Sequence, residues 1–205
     1  MHESSSTGLP KPRTVGRMSI EEAIWRRRSI RKYLQRPIEL EQLSQVLWAA
    51  QGITDTQSGH RAAPSPGAKY ALELYVFTGE RGVRALPAGV YHYEPTMHSL
   101  TSIKKGDYIS SLELASGGQE QIGQAAAIMA ITGVFDRATG KYGERGIQYV
   151  IQESGTVAEN VHLESTALGL GTVMVGAFDD SQVGKLIGTT AGEKPLLLMP
   201  LGVPT

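Results

Sequence analysis

Residues 125–132, Ala-Ala-Ala-Ile-Met-Ala-Ile-Thr, leave almost no position free to face water. The run is too short for a buried helix of ordinary length. A strand covered on both faces satisfies both facts, and Phe135-Asp136-Arg137 closes it. Further on, Val150, Val157, Val161 and Leu168 supply the apolar faces of one long helix over residues 147–168. A helix of that length in a chain of 205 residues is read as its central, buried element. Short buried strands among helices imply an α+β fold, a small mixed sheet surrounded by helices.

The rest of the chain is read in the same way. Ser19 and Glu22 form a capping box that opens a helix carrying Ile20, Ala23, Ile24 and Arg27. Leu40, Leu43, Val46, Leu47 and Ala50 repeat at helical spacing, with Gly52 as a left-handed cap. Residues 53–59 read as a polar loop and 72–78 as an alternating strand. A hairpin follows, turning at Pro95 to Met97 and returning over 98–103. Two short helices are expected at 108–114 and 119–122. Gly169 caps the long helix, 173–175 is a strand, 179–187 a helix and 195–201 a final strand. His92 and His98 are assigned to strand faces, because no carboxylate or second His stands at ligand spacing; no metal site is expected.

Length points to a single domain over residues 9–205, able to bury roughly 70% of its unfolded surface. Residues 1–8 are Ser-rich, lack an apolar signal core and are expected to be a disordered tail. Cysteine is absent, which excludes thiol catalysis, Cys-ligated zinc, iron–sulfur clusters and covalent haem. It also fits a reducing, cytoplasmic setting. Twenty basic and twenty acidic side chains cancel, so no global field calls for nucleic acid. No apolar run approaches the ~18 residues of a membrane span.

The chemistry is concentrated elsewhere. Residues 26–33, Arg-Arg-Arg-Ser-Ile-Arg-Lys-Tyr, put five cations and a hydroxyl at a helix exit. Such a run is either a solvated helix end or an anion site, in which forked guanidiniums match phosphate oxygens. The longer stretch Ala23-Ile-Trp-Arg-Arg-Arg-Ser-Ile-Arg-Lys-Tyr33 resembles the flavin-phosphate motif of the nitroreductase superfamily. The resemblance implies that Arg27, Ser29 and Arg31 hold the phosphate and ribityl chain of FMN, with Arg28 close by. Residues 61–70, Arg-Ala-Ala-Pro-Ser-Pro-Gly-Ala-Lys-Tyr, resemble a segment of the SagB-type branch. There the backbone at Arg61, Pro64, Ser65, Pro66 and Gly67 would run along the flavin. Lys69 and Ala71 depart from that branch's apolar residue and proline.

Gly140-Lys141-Tyr142-Gly143-Glu144-Arg145-Gly146 matches the Lys-Tyr-Gly-x-Arg-Gly signature of the same branch, which implies a catalytic role for Lys141 and Tyr142. Glu153-Ser154-Gly155-Thr156 stands where the family often has Glu-Ala-Gly-His, so no role for that His carries over. Residues 167–180 resemble the family segment whose backbone nears the flavin, here at Val175, Gly176 and Ala177. They are not a dinucleotide fingerprint, since Met174 occupies the third glycine's place. The resemblance covers roughly residues 9–204. It implies the nitroreductase fold, a homodimer with FMN at the interface, and hydride exchange between flavin N5 and a small substrate. Dehydrogenation of an azoline, including one in a peptide, is one chemistry it implies. An NAD(P)H-dependent nitro or quinone reductase and a non-catalytic flavin-binding partner protein are the alternatives.

Overall fold

In the computed structural model, which describes residues 6–205, the apolar run becomes strand β7, Ala127–Val134, with residues 127–131 fully buried. The other strands are β1 (Ser6–Gly8), β2 (Ile53–Asp55), β3 (His60–Arg61), β4 (Leu72–Thr78), β5 (Gly89–Glu94), β6 (Ser99–Lys105), β8 (Gly171–Thr172) and β9 (Glu193–Gly202). Helices are α1 (Ile20–Arg26), α2 (Leu40–Gln51), α3 (Ile109–Ala115), α4 (Glu120–Gly123), α5 (Asp136–Tyr142), α6 (Arg145–Ala167) and α7 (Asp180–Ile187). Seven strands form one sheet in the order β1-β6-β5-β4-β7-β9-β8; β2 and β3 pair separately.

Side chains alternate across a strand, and β7 shows the consequence. Met129 and Ile131 pack into one core with Leu43 and Leu47 of α2 and with Val150, Val157 and Val161 of α6. Ile128 and Ala130 face a second core with Leu112 of α3 and with Val183 and Ile187 of α7. Each fully buried Ile, Leu, Val or Met contributes about 1.5–3 kcal/mol before conformational entropy is subtracted. At Gly133 an added Cβ would lie 2.8 Å from Val150, so the absence of a side chain lets α6 cross the sheet closely.

Several expectations change. Every strand pairing in the seven-stranded sheet is antiparallel; parallel contacts are confined to isolated bridges such as Ser29 to Thr172. The expected tail is in part a strand, because Ser6–Gly8 pairs with β6 and satisfies that edge through backbone groups alone. Residues 1–5 lie outside the described residues. The polar loop at 53–59 contains β2, hairpinned to β3. Gly52 is extended, φ −63° and ψ 149°, so α2 ends without a left-handed cap. The expected strand at 173–175 reduces to one bridge from Val175 to Leu198, with β8 lying earlier. The capping box of α1 is half made: Ser19 Oγ accepts from Glu22 N–H at 3.2 Å, while the Glu22 carboxylate pairs with Arg26 at 2.7 Å. None of the helices among the described residues is long and apolar enough to cross a membrane.

Candidate active site

The basic loop follows directly from the end of α1. Arg27 N–H donates to Ala23 O at 2.8 Å and closes the helix. Ser29 then lies parallel to Thr172, and Ile30 N–H donates to Thr172 O at 2.9 Å, so β8 pins the loop. This requires Gly171, whose Cβ would stand 2.6 Å from Ile30. Buried Tyr33 donates its hydroxyl to Ile30 O at 2.6 Å.

The cations divide by what they touch. Arg26 is paired with Glu22. Arg28 folds back and donates Nη1 to Trp25 O and Arg27 O, at 3.0 and 2.7 Å. Through Nη1 it caps the helix end. Half-buried Arg27 and exposed Arg31 meet no carboxylate among the described residues. Arg27 lies near His162 of α6; burial first, then the Arg27 charge, holds that imidazole below its ordinary pKa. His162 Nδ1 and Thr172 Oγ1 are both buried without a hydrogen-bond partner.

The second region lies around Gly67. Pro64 is exposed and Pro66 opens a single tight turn, Pro66–Ala68. Gly67, Ala68 and Tyr70 all take positive φ, at 60°, 51° and 46°. A Cβ on Gly67 would stand 2.3 Å from Tyr142 Oη and 3.0 Å from Lys141 Nζ. Both candidate catalytic groups therefore converge on one backbone position. They do so because residues 136–142 form α5. Asp136 in its first turn and Lys141 in its last suit the helix dipole, while Gly140 hides the pattern in sequence. Lys141 Nζ stands 5.1 Å from the Tyr142 ring centroid. The Tyr142 ring packs edge-on against Tyr149 at 5.1 Å, and Arg145 covers Tyr149 at 5.8 Å.

Ser65 is engaged within the protein. Its hydroxyl donates to Glu153 Oε2 and accepts from Tyr70 N–H, each at 2.7 Å. Glu153 had no assigned role in the sequence, although a carboxylate between Val150 and Val157 on a buried helix stripe was a usable signal. Of the third segment, Val175 exchanges both backbone bonds with Leu198 at 2.9 Å and is buried, so its main chain is not available to a ligand. Gly176 and Ala177 are exposed, and Ala177 O accepts from Gln119.

The two regions lie far apart within one chain. The loop's partner Thr172 pairs with Leu201, which pairs with Ala127 at one end of β7. Gly133, at the other end, pairs with Leu72, just after the Gly67 turn. Those six residues of strand span roughly 20 Å. Along α6, Tyr149 beside Tyr142 and His162 beside Arg27 are thirteen residues apart, again about 20 Å. A cavity of about 320 Å³ lies elsewhere, between residues 13–18, α1, α2 and α6, lined by Arg13, Trp48, Asn160 and Glu164 among others. Among the described residues no three His, Cys, Asp or Glu side chains gather to hold a metal ion.

Known proteins share this fold. The model of the family described as Nitroreductase family matches residues 24–203. The chain belongs to the nitroreductase family. A nitroreductase by name from Methanocaldococcus jannaschii is 42% identical over 188 residues, covering 92% of each chain. The microcin B17-processing protein McbC of Escherichia coli is 27% identical over 151 residues, or 72% of this chain and 56% of McbC. Among solved structures, one from Ralstonia eutropha, also described as a nitroreductase, matches with a TM-score of 0.86 at 30% identity, over 98% of this chain and 90% of that one. A chain of the E. coli microcin synthetase McbBCD complex with truncated pro-MccB17 bound matches at 0.78 and 24% identity, over 94% and 75%. This nitroreductase-family chain thus carries its two marked motifs at opposite ends of the family's sheet.

Proposed function

We propose that the chain is an FMN-dependent oxidoreductase of the SagB type, acting as a homodimer that builds each site from the basic loop of one subunit and the Gly67 turn of the other. The observation that carries this reading is the convergence of Lys141 Nζ and Tyr142 Oη on Gly67. The roughly 20 Å between that point and Arg27 supports the two-chain site, because one chain alone would hold the phosphate donors far from the reacting ring.

The residues present fit FMN. Arg27 and Arg31 are cations without a carboxylate partner among the described residues, and exposed Ser29 adds a neutral donor between them. Forked guanidiniums suit phosphate oxygens. Gly67 and Gly176 are exposed backbone positions where a flat ring can approach closely. Bound there, FMN supplies two-electron hydride chemistry. The chain's residues supply anchoring, orientation and the proton. In azoline dehydrogenation a proton leaves the ring carbon next to the one that loses hydride, and Tyr142 as the phenolate or Lys141 as the free amine would receive it. The partial match to McbC, named as a microcin B17-processing protein, supports a peptide as the substrate.

A second reading has its own support. The Methanocaldococcus jannaschii relative matched over 92% of both chains is named as a nitroreductase. Reduction of a nitro group or quinone by NAD(P)H removes no proton from carbon, so Lys141 and Tyr142 would be dispensable there. Purified protein is expected to be yellow, with one FMN per chain. Lys141→Ala and Tyr142→Phe are expected to retain FMN and lose azoline oxidation under the first reading. Both retain most NAD(P)H-driven turnover under the second. A preparation that neither contains FMN nor quenches added FMN fluorescence rules out both.

A further inference from the structure

The turn that presses on Lys141 and Tyr142 is held in a costly shape. Ala68 and Tyr70 are not glycines, yet both lie in the left-handed region, beside Gly67. Such residues persist only where their surroundings over-determine them. The surroundings here are a polar network under the turn. Ser65 Oγ bonds Glu153 and receives Tyr70 N–H; Arg61 donates Nη1 to Gln51 Oε1 at 3.0 Å; Arg61 N–H donates to Tyr70 Oη at 3.2 Å; and the Arg61 guanidinium covers the Tyr70 ring at 4.5 Å. Glu153 and Gln51 are 2% and 1% exposed, so this network lies inside the fold.

Burying a carboxyl on the central helix is unfavourable unless it bonds something. We propose that Glu153 is the positioning residue of this site, a buried acceptor that clamps Ser65 and thereby holds Gly67 against Lys141 and Tyr142. The inference rests on the catalytic reading of Lys141 and Tyr142 for its purpose, while the clamp itself is independent of any flavin. Burial raises the Glu153 pKa, and the Ser65 hydrogen bond and Arg61 only partly offset that. A neutral acceptor would serve equally, so Gln should replace Glu153. An apolar residue of similar volume should not, since it leaves the Ser65 O–H without an acceptor.

The test uses the full chain as purified, with fluorotyrosine placed at position 142 and amide hydrogen exchange read along the backbone. Glu153→Leu and Glu153→Ala are expected to speed exchange at Tyr70 by about ten-fold, with β7 amides changing far less, and to shift the fluorine resonance at 142. Glu153→Gln should leave both readouts near wild type. Ser65→Ala, which removes the clamp from its other side, should reproduce the Leu result even if Glu153→Ala fails to fold. Equal protection in the Leu and Gln variants would reduce Glu153 to space-filling and overturn the proposal. So would equal acceleration in the turn and in β7. Neither readout needs bound FMN or turnover, so both measure the clamp even in a chain that lacks flavin chemistry.

Discussion

The basic loop at 27–31 and the turn at 65–70, the two halves of the proposed FMN site, are made differently. The loop is local. Its donors stand within five residues, mostly exposed, and the fold contributes only a pin to β8 and the absence of a side chain at Gly171. The turn is non-local. Its shape depends on Glu153 and Gln51 beneath it and on Lys141 and Tyr142 beside it, which come from three other elements. A local site reads charge, and one substitution should change affinity without changing shape. A non-local site sets geometry, and one substitution should change reactivity before it changes affinity.

The largest effect expected is on the loop. Arg31→Ala should weaken FMN binding by roughly 10- to 150-fold, the worth of one charge-assisted hydrogen bond, with Arg27→Ala in the same range. Lys32→Ala is the control and should change it little. Fluorescence titration of FMN decides, and equal small losses at 31 and 32 would return the cluster to a solvated helix end.

Gly67→Ala comes next and should behave in the opposite way. Its φ of 60° would strain alanine by about 1–2 kcal/mol. The new Cβ meets only the ends of two side chains, which can move aside. The variant should therefore fold, keep FMN, and lose up to about a hundred-fold in turnover through misplaced groups. Unchanged kcat would break the contrast between the two regions.

Arg28→Ala is expected to cost about 0.3–1 kcal/mol of stability, from the lost interaction with the α1 carbonyls, with FMN affinity near wild type. Thermal unfolding beside titration separates the two.

The smallest effect concerns pH. Arg137 donates to Tyr70 O and pairs with Glu73, which with Glu94 holds His92 at 2.7 and 2.8 Å. Burial opposes the charge on His92, but the two carboxylates outweigh it, and its pKa stands above the ordinary value. A raised histidine pKa contributes stability that is complete below ~6.5 and is lost as pH rises through the folded value. Exchange at residues 65–70 should speed slightly across that window while residues 27–31 stay unchanged. Glu94→Gln should flatten the response.

The same contrast explains what is legible in the sequence. The basic loop, β4, β7 and α6 are readable because motif, alternation or helical period lies in consecutive residues. α5 is not, because Gly140 and the short span mask a helix of seven residues. β1 carries no apolar pattern, since only its backbone pairs. Arg28 groups with its neighbours because sequence shows a cation without showing which carbonyls it reaches. The turn is recognisable as a motif, but its support by Glu153 is not, because that bond joins residues 88 positions apart.

The central claim, a site shared between two chains, is most directly tested by mixing inactive subunits. One carries Arg27→Ala and Arg31→Ala; the other carries Lys141→Ala and Tyr142→Phe. At an FMN concentration that just saturates the wild type, each is expected to be inactive in azoline oxidation alone. If loop and turn meet across the interface, a mixed dimer holds one site with all four changes and one untouched. Activity should then return to about half the wild-type value per mixed dimer, with one FMN held at wild-type affinity. If each site belongs to a single chain, both sites of the mixed dimer are defective, no activity returns, and the account is contradicted.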